Sequence, residues 1–142
     1  MRPDKQLASL LGINDASSVQ TDAYLLVNTA QAPGAGIVDQ TIQYHGPADL
    51  YTLNGASAIA SIYSNPTQVT SNPAVTLHSV GTNGGQAAAF TFDLAQSIYD
   101  YVNLDEAAIP QTRELRRLLG NMILSMVADR GQPTRFWYFP KR

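Results

Sequence analysis

Short β-prone runs followed by helical segments predict an α/β or α+β fold for this 142-residue chain. Three observations carry that reading. The stretch "TIQYHGPADLYTLNGASAIASIYS" (residues 41–64) sets two β-prone runs around Asn54-Gly55, the strongest short-range hairpin signal. The stretch "AVTLHSVGTNGGQAAAFTF" (residues 74–92) holds two more runs around a glycine-rich break. In "RELRRLLGNMILSMVAD" (residues 113–129), Leu115, Leu118, Leu119, Met122, Ile123, Met126 and Val127 recur at helical spacing, with charge on the opposite face.

The remaining elements follow in order. "RPDKQLASLLG" has Leu7, Leu10 and Leu11 at helical spacing, Pro3 near its start and Gly12 just past its end, so it reads as a short helix with a glycine cap. "AYLLVNT" (residues 23–29) is a strand and "QAPGAGI" (residues 31–37) a loop. "NPTQVTSNP" (residues 65–73) reads as a second loop. "DLAQSIYDYV" (residues 93–102) reads as a helix with Asp93 at its N-cap. The apolar, aromatic ending "RFWYFPKR" is expected to pack back on the body as a strand or extended tail.

Length and composition bound the function. One domain spanning residues 1–142 is expected, long enough to bury a real core. Charged residues make up 14% of the chain, well below the usual quarter. The absence of cysteine removes disulfides, thiolate metal sites and a cysteine nucleophile. The segment "MRPDKQLASLLGI" lacks the apolar core of a secretory signal, and no apolar run approaches the ~20 residues that span a bilayer. A soluble chain that stays where it is made is the expectation, with no membrane partner. Charge is lopsided: two bases face nine acids over residues 1–112, and seven bases face two acids over residues 113–142. A basic end can contact nucleic acid, but its bases are interrupted by apolar residues and the whole chain is acidic at −2, so a solvated helix face is the preferred reading.

Chemistry-bearing motifs are few. A P-loop needs Gly-Lys-Ser/Thr after its glycines, whereas Gly84 and Gly85 are followed by Gln86 and Ala87. A dinucleotide loop opens into a helix, and "QAAAFTF" reads as a strand. The glycines at 81, 84 and 85 therefore serve a hairpin turn needing positive φ. His45 stands at a strand end with Asp49 four residues on, a base-and-orienter arrangement in one reading and a hydrogen-bonded loop histidine in the other. His78 within a strand carries less. Asp100, Asp105 and Glu106 have no spacing that selects a glycosidase-type pair, and no metal-ligand spacing or G-x-S-x-G elbow is present. No metal and no cofactor is expected.

Four segments together resemble a known family: "MRPDKQLASLLGI", "APGAGIVDQTIQYHGPADLYTLNGASAIASIYS", "NPAVTLHSVGTNGGQAAAFTFDLAQSI" and "AIPQTRELRRLLGNMILSM" with "RFWYFP". They resemble the class I glutamine amidotransferase-like domain of large, secreted, multi-domain bacterial proteins, which is similar to trehalose-utilisation-type (ThuA-like) domains and often neighbours a polysaccharide-deacetylase-like region. The resemblance implies a partial flavodoxin-like α/β sheet, a carbohydrate context and, in many members, no amidotransferase triad. This chain matches from the middle of such a domain and is shortened after "DLAQSIY". A half-sheet leaves a strand edge and an apolar face uncovered, so a homo-oligomer is expected.

Two functions follow as expectations. One is a degenerate amidotransferase-like module with a carbohydrate-linked binding or scaffold role, contacting a carbohydrate or small molecule through Tyr44, Tyr51, Gly84 and Gly85. The other is a small hydrolase of ester, lactone or glycosidic bonds, with His45 as base, Asp49 as its orienter and amides of residues 81–85 as oxyanion donors.

Overall fold

The computed structural model describes residues 5–30, 32–104 and 109–128. After a 3₁₀ turn at Lys5–Leu7, the chain forms β1 (Ile13–Thr21), β2 (Tyr24–Val27), β3 (Ile42–Gln43), β4 (Pro47–Leu53), β5 (Ser57–Asn65), β6 (Gln68–Val80) and β7 (Gly85–Phe90). Two helices follow, α1 (Leu94–Leu104) and α2 (Ile109–Ala128). Strands β1 and β4 make a two-stranded sheet; the other five are ordered β3-β2-β5-β6-β7. Every ladder among the described residues is antiparallel. The α+β form of the expectation therefore describes the molecule, with hairpins and a long C-terminal helix, while the parallel order that underlies a flavodoxin-type sheet is not seen in these ladders.

The chain's entry is shaped by one glycine. Gly12 has φ +67°. Its N–H bonds Ser9 O at 3.2 Å and that of Ile13 bonds Ala8 O at 3.0 Å, the paired bonds of a Schellman cap. The cap expected from the sequence is present, although the helix before it shrinks to a 3₁₀ turn and further turns.

Asn54 and Gly55 make a corner, not the hairpin expected there. The N–H groups of Asn54 and Ala56 both reach back to Gly12 O, at 2.7 and 3.1 Å. With those donors taken, β4 pairs with β1 while β5 pairs with β2 and β6. The hairpins lie elsewhere. β5 and β6 meet at Pro66 and Thr67, inside the segment expected to be a loop, where Asn65 Oδ1 accepts from Thr67 N at 3.0 Å and from its Oγ1 at 3.1 Å, an Asx turn. β6 and β7 meet at the glycine turn, with Gly81 and Gly84 at φ +69° and +73°, as the sequence predicts.

Period-2 alternation sorts the strands' side chains. On the β2–β5 ladder Leu25, Val27, Ala60 and Ile62 are buried. They share one core with Ile37, Ile42, Tyr44 and Phe92 and with Leu115, Leu118 and Met122 of α2. A smaller core joins Ile13, Tyr51, Ala56 and Ala89. The two sheets touch where Asp49 N donates to Thr91 O at 3.0 Å and Ala48 bridges Phe92. The aromatic ending at residues 135–142 lies outside the described residues.

Candidate functional site

His45 sits in the link between β3 and β4, pressed against the first turn of α1. Asp93 caps that turn: its Oδ1 accepts from Gln96 N at 3.0 Å, and this backbone N–H holds its carboxyl below the usual carboxylate range. One turn on, Ser97 is fully buried, and its hydroxyl donates to Asp93 O at 2.8 Å. The same hydroxyl accepts from His45 N at 3.1 Å and lies 3.3 Å from His45 O. Ser97 thus ties backbone to backbone, which is positioning work. The His45 ring, largely covered, has its Nδ1 3.8 Å from Asp22 Oδ1. Asp22, at φ +50°, also takes Gly46 N on that oxygen at 2.8 Å and returns its own N–H to Gly46 O at 3.1 Å. The carboxylate beside the imidazole is therefore contributed by the β1–β2 turn.

The other residues expected to act fall in separate places. Asp49 is buried on β4 opposite Val19. Tyr44 has no exposed surface; it stacks on Phe92 at 5.2 Å and its hydroxyl donates to Gln20 O at 3.3 Å. Burial first, and Asp22 second, push its pKa to about 12. Tyr51 is likewise fully buried, in the smaller core. Neither tyrosine has side-chain surface for a ligand, because each lies on the inward phase of its segment. Gly84 and Gly85 are spent on the β6–β7 turn. That turn and the α1 end of β7 are separated by the strand's six residues, about 17 Å, so its amides and His45 lie toward opposite ends of β7. His78 lies against Gly12 and Gly55 and gives Nδ1–H to Leu10 O at 2.8 Å, closing the corner. Asp100, Asp105 and Glu106 lie outside the described side chains. Among the described residues no group of three or more His, Cys, Asp or Glu could hold a metal ion, and no helix is long and apolar enough to cross a membrane.

A different surface offers a ligand more. On the outer face of the five-stranded sheet, Tyr24 stands directly opposite Tyr63, and Leu26 opposite Ser61. All four are half-buried, in alternation with the buried inner row. A groove of about 190 Å³ runs along β2 and β5, lined by residues 26–28, 58–61 and Tyr63. Its lining mixes apolar with neutral hydrogen-bonding groups in comparable measure and carries no charged side chain. Sequence reading missed it. The alternation in "AYLLVNT" and "SIYS" could have flagged the outward tyrosines, but the register that sets Tyr24 beside Tyr63 is a tertiary fact.

No protein-family model matches the chain, and no curated protein matches it. Among solved structures, a cold-adapted β-galactosidase from Rahnella sp. R3 is similar at 19% identity and a TM-score of 0.52. The match covers 83% of this chain and 15% of that one, so the chain spans only a small part of that protein's length. At this identity the likeness is one of fold.

Proposed function

We propose that this chain is a binding module with a carbohydrate-linked role and that the groove between β2 and β5 is its working surface. The observation that carries the reading is the groove itself: the half-buried Tyr63 beside neutral polar groups on a partly exposed sheet face. Sugars are recognised by such surfaces, their C–H faces against rings and their hydroxyls on amides and hydroxyls. That the similar structure is named a β-galactosidase agrees with a carbohydrate setting. The amidotransferase-like ancestry rests on the resembling sequence segments alone, and the antiparallel ladders lend it no support.

Affinity electrophoresis through gels containing galactans and glucans, run beside chromogenic esters, lactones and galactosides, tests the proposal. Retardation without turnover is the expected result. The hydrolase reading keeps one favourable observation, the Asp22 carboxylate beside His45. Turnover abolished by His45→Ala would make that second reading the better one. Self-association belongs to the proposal as well: Ile123, Leu124 and Val127 are exposed and follow Gly120 at helical spacing along α2. Light scattering at micromolar concentration should give a mass above 15.3 kDa, and a clean monomer would remove this part.

A further inference from the structure

We infer that the groove between β2 and β5 takes the end of a neutral saccharide, one or two rings long, with a ring stacked on Tyr63. This inference rests on the carbohydrate-binding reading and specifies its ligand. Tyr63 lines the groove and keeps part of its surface in water, so its phenol offers an apolar face to one sugar ring. From Tyr63 to Ile59 the groove runs four residues along β5, about 13 Å. Leu26 and Ile59 give it an apolar floor, and Ser61 adds a hydroxyl midway. At the far end Asn28 uses Oδ1 to accept from Ala30 N at 3.1 Å, which leaves its amide N–H groups as donors to a sugar hydroxyl.

Charge and size narrow the ligand. The groove lining supplies no cation for a uronate or phosphate and no anion for an amino sugar. A charged ring would lose hydration there without a partner. The volume of about 190 Å³ is below the roughly 300 Å³ at which sites for drug-sized molecules begin, so a long glycan engages through its terminus.

The test is an amide-resolved NMR titration of the full chain with galactose, lactose and galacturonate, the last differing from galactose by a carboxylate at C6. Saturable shifts should concentrate on residues 26–28 and 58–63. Galactose should bind at least tenfold more tightly than galacturonate. Tyr63→Ala should weaken lactose about tenfold or more, and Asn28→Ala, at an exposed position, a few-fold. His45→Ala should bind as the parent does. Saturable shifts elsewhere, or equal binding of galacturonate, would overturn the groove assignment and leave the carbohydrate-binding reading standing. No saturable shift with any sugar, together with no retardation on polysaccharide gels, would overturn both.

Discussion

On β2 and β5, Leu25, Val27, Ala60 and Ile62 are sealed beneath the helices, while Tyr24, Leu26, Ser61 and Tyr63 on the same two strands keep part of their surface in water. The two sets differ by one residue of register. Both are mainly apolar, so hydrophobicity alone does not separate them; what separates them is that α2 packs on one face while the other stays half-exposed. The inner face is committed to stability. The outer face is free to be committed to a ligand. Substitutions on the two faces should therefore divide cleanly between folding and binding.

The largest effect belongs to the inner face. Ile62→Ala removes a fully buried side chain from the main core and should cost about 3 kcal/mol, read as a lowered urea midpoint. A loss below about 1 kcal/mol would mean that this face is looser than its burial implies. Next comes the strut that holds residues 34–38 against α2. Glu114 is buried; its Oε2 accepts from Val38 N at 3.0 Å, and its Oε1 is 3.4 Å from Arg117 Nη1. Glu114→Ala strands that N–H and should cost about 2 kcal/mol, whereas Glu114→Gln keeps an acceptor and should cost less. Equal losses would point to the charge as the important feature.

Asp93 comes third. Because Gln96 N holds its carboxyl below the usual range in the folded state, Asp93 stabilises the fold above the unfolded carboxyl pKa, and that contribution fades as pH falls through the lower folded value. Asp93→Ala should cost about 1 kcal/mol at neutral pH. The gap between the two proteins should close as pH drops below about 4. A gap that persisted in acid would assign the loss to something other than the ionised cap.

These elements differ in how far the sequence exposes them. Asp93, the glycine turn and α2 are local patterns, a cap three residues from its donor and a period of 3.6, and each is legible from neighbours in the chain. The Asn54-Gly55 signal is equally local, yet it misleads, because Gly12 O, some 40 residues away, claims both flanking N–H groups. Two glycines make the same point. Gly12 and Gly81 have nearly equal φ, +67° and +69°, but a Cβ on Gly12 would meet His78 Cγ at 2.6 Å and Ala56 N at 2.8 Å, whereas one on Gly81 meets nothing within 4 Å. The open position lies in the conspicuous glycine cluster, and the isolated glycine is a packed one. The candidate site was hidden for the same reason. His45 and Asp49 are close in sequence, but the imidazole's neighbour is Asp22; Tyr24 and Tyr63 are far apart in sequence, and only strand register brings them together.

The smallest expected effect is the sharpest probe of the division between faces. Ser61 shares β5 with Ile62 but points to the other side, opposite Leu26 and along the groove. Ser61→Ala removes one hydroxyl from a half-exposed position and should change stability by less than about 0.5 kcal/mol. Its effect should appear in lactose affinity, as a loss of a few-fold, the size expected when one hydrogen bond of about 1 kcal/mol is withdrawn from a wet site. Urea melts and the NMR titration, run on the same preparation, separate the two quantities. A stability loss near 2 kcal/mol would show that the outer face is packed against something, with the phase difference between Ser61 and Ile62 then carrying no functional meaning. Unchanged stability with weakened lactose would show one strand serving the fold with its even-phase neighbours and the ligand with its odd.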